Sequence, residues 1–319
     1  MDKSSVSSGT ESVNNALGMD LNLQFNSVSR LTGQVAVSSR PDIDTDGHAG
    51  QINYQYSNKL INPSDNINFS LGVEEATDDF DISEIGYFGR TSLNRRGGKE
   101  NLGYQYWIKN KGINRVSFNH NGWYYRDHEW EERVQDGASA EFTIETINLI
   151  APGFLIERSY YYLPGDKNSY HNDQRTVSVN FGPYPRFRSE VSYRTGDNFG
   201  SSIKYFDTEV IVKPTNKMRI TCNYSRLISD PFDTAESSST NNIARVGFNY
   251  LFTPDFYWRV FVQSDSSDKL YLVNTMLRYE FKPGSTFYLS YKETRDDMLD
   301  NFITSDRQLL AKLSYYLPL

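Results

Sequence analysis

The chain has 319 residues, a net charge of -7, a pI of about 5.2 and a single cysteine, Cys222. It has no basic stripe, which argues against nucleic acid as a partner, and one cysteine excludes an internal disulfide or a cysteine-based metal cluster. No apolar run reaches the ~18 residues of a transmembrane helix, but the mean hydropathy of -0.62 does not exclude a membrane barrel, whose alternating strands keep the average low.

Aromatic content is 14%, with 23 Tyr and 19 Phe. That is heavy, and tyrosine suits a boundary between water and an apolar phase. The start, MDKSSVSSGTESVNNA, is Ser-rich and polar. It has no signal-peptide core. It reads as a mature chain carrying an added Met1, or as a piece of something longer. Residues 1–14 read as a flexible polar tail and residues 15–319 as one β-barrel domain.

From there one pattern repeats. Leu17, Met19, Leu21, Leu23 and Phe25 alternate with Gly18, Asp20, Asn22, Gln24 and Asn26. Leu31, Val35 and Val37 follow, then Ile52, Tyr54 and Tyr56, then Ile67, Phe69, Leu71 and Val73. A period of two is a strand with two unlike faces. Between the second and third of these lies Asp42-Ile43-Asp44-Thr45-Asp46-Gly47, the first half of a calcium loop. Asp42, Asp44 and Asp46 are therefore calcium candidates. The twelfth position is Asn53 rather than the bidentate glutamate, and the alternative is an acidic loop between strands.

Arg95-Arg96-Gly97-Gly98-Lys99 could hold an anion such as a lipid phosphate, or be a solvated loop tip. Leu102, Tyr104, Tyr106 and Ile108 form the next face, then Val116 and Phe118, then Ala140, Phe142 and Ile144. His120, His128, Glu129, Glu131 and Glu132 cluster in sequence, but a metal would need a convergence that hairpin geometry does not guarantee. Residues 153–163 are apolar on both faces. Val177, Val179 and Phe181 precede Phe187, Val191 and Tyr193; Phe206, Val210 and Val212 lead to Met218, Ile220, Cys222 and Tyr224. Cys222 in that row reads as buried apolar filler. Val246 to Phe252, Trp258 to Val262, Tyr271 to Phe281, Phe287 to Tyr291 and Leu309 to Leu317 complete about 17 candidate strands, many near the length that crosses a bilayer.

From residue 109 on, short connectors such as Asn110-Lys111-Gly112, Gly182-Pro183-Tyr184-Pro185, Lys213-Pro214-Thr215-Asn216, Thr253-Pro254-Asp255 and Lys282-Pro283-Gly284 alternate with longer polar ones at 124–137, 164–173, 228–241 and 294–304. Short turns at one end and long loops at the other mark an outer-membrane barrel. The polar faces carry Arg186, Arg188, Glu190, Arg194, Asp207, Glu209, Arg219, Arg278 and Glu280. In a barrel these line the lumen and can pair across strands.

Asp79-Phe80 and Ile85-Gly86-Tyr87-Phe88-Gly89-Arg90-Thr91 resemble a signature of a family of bacterial outer-membrane proteins of unknown function. Tyr257 to Gln263, Arg278 to Ser285, Tyr291 to Arg295 and Asp306 to Tyr315 are also similar to the end of its members. The family typically carries an N-terminal domain like a family-nine carbohydrate-binding module, then a large C-terminal β-barrel. The resemblance implies that C-terminal barrel region. The carbohydrate label belongs to the other domain and lends nothing to these residues.

The expectation is an all-β chain, an antiparallel up-and-down transmembrane β-barrel of about 16–18 strands in the bacterial outer membrane. Its function would be that of a pore, or of the membrane-embedded part of a surface or transport protein. No G-x-S-x-G, H-E-x-x-H or Walker loop is present, so no enzyme and no cofactor are expected, calcium apart. Expected partners are outer-membrane lipid and an N-terminal barrel portion or periplasmic domain on the same or another chain. An odd strand count has the parity of an incomplete, C-terminal part of a larger barrel; a strand miscounted within 138–163 would remove that argument. The rival reading is a secreted soluble β-rich carbohydrate-binding or carbohydrate-active protein.

Overall fold

A computed structural model of the chain describes residues 15–40, 45–59, 64–77, 95–110, 112–127, 133–163, 168–182, 186–233, 237–296 and 303–316. Every helix or strand among them is a strand, seventeen in all. They are β1 (Asn15–Gln24), β2 (Ser29–Arg40), β3 (Thr45–Ser57), β4 (Asp65–Ala76), β5 (Arg95–Asn110), β6 (Ile113–Asp127), β7 (Arg133–Thr146), β8 (Ile150–Leu163) and β9 (Asn168–Phe181). The remainder are β10 (Phe187–Asn198), β11 (Ser201–Thr215), β12 (Met218–Pro231), β13 (Ser239–Thr253), β14 (Phe256–Asp265), β15 (Leu270–Lys282), β16 (Ser285–Asp296) and β17 (Ile303–Ser314). The stretch 138–163 holds two strands, β7 and β8, so the odd count involves no miscounted strand there.

Contacts divide the chain into two compact units. The first takes in residues up to 106, 117–140 and 158–170, and the second takes in 107–116, 141–157 and 171–319. In the first, β1 to β5 pair in sequence order, each antiparallel to the next. In the second, β9 to β17 do the same. This is an up-and-down meander, the arrangement that short turns between neighbouring strands allow.

The connectors explain why the chain folds back where it does. In the second unit the turns at one end are short: 111–112, 147–149, 182–186, 216–217, 254–255 and 283–284 separate consecutive strands. Pro283 cannot continue the ladder, and Gly284 takes φ +79°, a conformation open to glycine at no steric cost. The opposite end has connectors at 232–238, 266–269 and 297–302, but also the two-residue turn Phe199-Gly200. Both turn residues have positive φ, 46° and 78°. That is the primed geometry whose twist matches the flanking strands, and Asn172 Oδ1 accepts the Phe199 N–H at 2.9 Å. The alternation of short and long connectors is therefore not strict. The strands also run further than the hydrophobic pattern implies: β6 and β7 extend into 124–137 and leave only 128–132 between them.

Buried hydrophobic side chains are few among the described residues: Ala49, Ala76, Tyr125, Ala151 and Ile203. A soluble sandwich packs two apolar faces on each other. Here the apolar face stays open: Val177, Val246, Phe252, Trp258, Val262, Val273 and Phe287 are all exposed. Cys222 is exposed on that face as well and is not buried filler. Each unit also has an exposed flank strand. On β1, Leu17 and Met19 are 74% and 70% exposed, and on β17, Leu309 is 73% exposed, against 37–52% for the outward residues of inner strands such as Val177, Val246 and Val273.

Candidate functional site: the polar face

In the second unit the register carries one face from strand to strand. Glu190 lies opposite Glu209 and Asn180, Ser192 opposite Asp207, and Arg194 opposite Tyr205 and Thr176. Glu209 lies opposite Asn223, which lies opposite Arg245 and then Gln263. Arg219 lies opposite Asn249, and Asn249 opposite Arg259. Tyr257 lies opposite Arg278, Arg278 opposite Tyr288, and Tyr288 opposite Lys312. Strand parity therefore places Arg188, Glu190, Arg194, Asp207, Glu209, Arg219, Arg278 and Glu280 on one face. Arg186 precedes β10 and its carbonyl accepts the Lys213 N–H at 2.8 Å, next to that face.

The charges on this face are partly paired. Arg278 donates to Glu280 Oε2 at 2.7 Å and lies over the rings of Tyr257 and Tyr288. Glu280 Oε1 also accepts the Gly284 N–H at 3.2 Å, which ties the pair to the turn. Arg188 and Glu190 approach to 3.8 Å, as do Lys292 and Asp306. Arg115 meets Glu145 at 2.7 Å and covers the Trp107 ring. Glu209 accepts from Asn223 at 3.2 Å.

In the first unit the corresponding face is rich in amides. Gln34 donates to Asp20 and Arg30 to Asn22, each at 2.9 Å. A ladder crosses four strands: Asn68 to Asn101 at 3.2 Å, Asn101 to Asn121 at 2.7 Å, and Asn121 to Ser139 at 3.3 Å. Arg95 and Lys99 both reach Glu74, at 2.8 and 3.4 Å. Such cross-strand amide and ion pairs satisfy polar groups that would otherwise need water.

The opposite face of the second unit carries a chain of rings beside the short turns. Phe248 meets Tyr250 and Trp258, Tyr250 meets Phe252, and Phe252 stacks on Phe256 with centroids 4.6 Å apart. The chain continues through Tyr279 and Phe281 to Tyr315. An aromatic belt at one level of an apolar face is the anchor of a strand protein at a bilayer interface.

Arg245, Arg259, Asp306 and Lys312 belong to the polar face and escaped the sequence reading. Their parity against Val246, Val260 and Leu313 is the signal that could have found them. A second surprise is Glu293, which shares the outward parity of Phe287 and Leu289. It is only 8% exposed and is held by Tyr291, by Arg295 at 2.6 Å and by Arg307 and Thr304 at 3.4 and 3.5 Å. It sits near the end of β16 that leads to the longer connector, past the aromatic rows. Of the calcium candidates, Asp46 lies in β3 opposite Ser39, while Asp42 and Asp44 fall outside the described residues. So do Asp79 to Thr91 of the family signature, and His128 to Glu132. His120 lies beside Glu100 at 3.4 Å.

No family model matches the sequence, and neither does any curated protein. Solved structures do resemble it. The ferric preacinetobactin receptor of Acinetobacter baumannii superposes with a TM-score of 0.53 at 9% identity, over 94% of this chain and 64% of the receptor. The siderophore receptor of Pseudomonas aeruginosa gives 0.45 at 10% identity, over 88% and 68%, and a Rh. blastica porin variant gives 0.39 at 11%, over 84% and 89%. The first likeness shows the fold, which is that of the bacterial outer-membrane β-barrels: all-β, antiparallel and up-and-down. The chain spans about two thirds of that receptor's length, 64%.

Proposed function

We propose that this chain is the membrane-embedded β-barrel part of a bacterial outer-membrane protein, and that it passes or docks polar solutes. The observation that supports this is the segregation of the two faces in the second unit. Arg186, Arg188, Glu190, Arg194, Asp207, Glu209, Arg219, Arg278 and Glu280 line a water-filled lumen, while the ring chain from Phe248 to Tyr315 meets lipid at the interface. Outer-membrane lipid is the first partner. A further barrel portion or a periplasmic domain is the second, in keeping with the family that residues 257–263, 278–285 and 306–315 resemble. No enzymatic step is part of this reading.

The test is direct. The purified chain is expected to require detergent for extraction, to fold into lipid vesicles, and to conduct in planar bilayers with an ion preference set by the polar-face charges. A chain that stays in the aqueous fraction without detergent would favour the secreted soluble protein instead.

A further inference from the structure

We infer that the polar face of β12, β13 and β14 holds an oxyanion site, built around Gly247 and formed by Arg219, Arg245, Asn249 and Arg259. The inference deepens the pore reading and rests on it for the source of the ligand, a phosphate-bearing solute in the lumen. Elsewhere on this face three cations have carboxylates: Arg188 has Glu190, Arg278 has Glu280 and Lys292 has Asp306, while Arg194 is held by Thr176 and the Tyr205 ring. Among the described residues Arg219 and Arg259 have no ion pair, and Arg245 donates only to the neutral Gln263, at 3.0 Å. On these three strands the register supplies no carboxylate between them. Its neighbours are Thr221, Asn223, Asn249, Phe261 and Gln263. Glu209, on the next strand, lies in the row of Arg245 with Asn223 between the two, and its carboxylate accepts the Asn223 amide; from the row of Arg219 and Arg259 it is four residues away, about 13 Å of strand.

The geometry makes a cradle of these groups. Gly247 lies between Thr221 and Phe261, with Arg245 and Asn249 two residues to either side on the same face. Arg219 and Arg259 flank Asn249 directly. A Cβ at Gly247 would meet only the Thr221 Cβ and carbonyl, at 3.8 and 3.9 Å. Sterics therefore do not demand glycine here, and its effect is to leave a notch between Thr221 and Phe261, one row from Arg245 and one row from Arg219 and Arg259. Arginine forks bind phosphate and carboxylate oxygens in parallel pairs, and arginine-lined rings select anions and phosphate in pores. Unpaired cations on neighbouring strands repel each other, so an anion that neutralises them gains from both effects.

The test uses the full chain in detergent micelles and isothermal titration with inorganic phosphate, acetate and chloride. Phosphate is expected to bind most tightly, at least about tenfold tighter than chloride, and R219Q/R259Q to weaken phosphate by about tenfold or more. R175Q, on the opposite face with Asp173 as its partner, should stay within about twofold. G247L keeps every charge and fills the notch, so it should also weaken phosphate severalfold, and it decides the matter if the double variant does not fold. Phosphate binding no tighter than chloride, or equal in wild type, R219Q/R259Q and G247L, overturns the site. Failure of the chain to enter vesicles would instead contradict the pore reading, because micelle titration does not depend on insertion.

Discussion

Phe252 and Phe256 stack across the tight turn between β13 and β14, their ring centroids 4.6 Å apart and nearly parallel. Each also meets a ring on its other side, Tyr250 and Tyr279. Aromatic pairs of this kind are worth about 0.5–1.5 kcal/mol beyond their buried area. Phe252→Ala and Phe256→Ala should each lower stability by about 1–3 kcal/mol when the chain is unfolded by urea from vesicles. Phe232→Ala, outside this ring chain, serves as the control and should cost less. Equal midpoints for all three would mean that the belt anchors nothing.

The two faces should respond differently to charge. Val246 lies on the outward face between Cys222 and Val262, and Ser225 lies on the polar face opposite Asp207 and Ile243. Val246→Arg should cost about 2–4 kcal/mol in vesicles if it meets lipid near the midplane. Ser225→Arg should cost far less, since Asp207 offers it a partner. Comparable losses in a vesicle folding titration would contradict the assignment of faces.

Sequence alone revealed the alternation but could not show which residues meet across strands. The run from Tyr271 to Phe281 announces a two-faced strand, with Val273 on its apolar side. The register puts Val273 directly opposite Glu293, so an arginine there would find a carboxylate and report little about lipid. The same limit hid the oxyanion cradle. Arg219, Arg245 and Arg259 are far apart in sequence, each among neutral neighbours, and only pairing places them around Gly247. The Phe199-Gly200 turn was also hidden, because a phenylalanine in the left-handed region (φ 46°) is not a turn signal. Strand ends went unread for a different reason: polar residues such as Glu100 and Arg126 continue the ladder past the apolar rows.

Paired charges on the polar face should differ in worth. Arg278 and Glu280 are 2.7 Å apart and about one quarter exposed, while Arg188 and Glu190 are 3.8 Å apart and about half exposed. Glu280→Gln should lower the midpoint more than Glu190→Gln does, because it removes the charge of a close hydrogen-bonded pair and leaves one amide oxygen to serve both Arg278 and the Gly284 N–H. Glu190→Gln should fall within about 0.5 kcal/mol of wild type. Urea midpoints in detergent measure both, and an equal effect would contradict the ranking.

The flank strands should be the loosest. The side chains of β1 are exposed on both faces, whereas β12 pairs along its length with β11 and β13. Amides of β1 are expected to exchange with deuterium at least tenfold faster than those of β12, in line with the low local stability of exposed strands (on the order of 1–2 kcal/mol or more). Equal protection in micelles would show that β1 is held by partners this account does not include.

The claim that the apolar face meets lipid can be tested with the chain's own cysteine. Cys222 is exposed on that face, opposite Val210 and Val246. A bimane label on Cys222 of the vesicle-folded chain should emit to the blue, be quenched by nitroxide lipids and resist iodide in the buffer. The same label on Ser225→Cys in a Cys222→Ser background should show the reverse. Iodide quenching at Cys222 without lipid quenching would contradict the account at its centre.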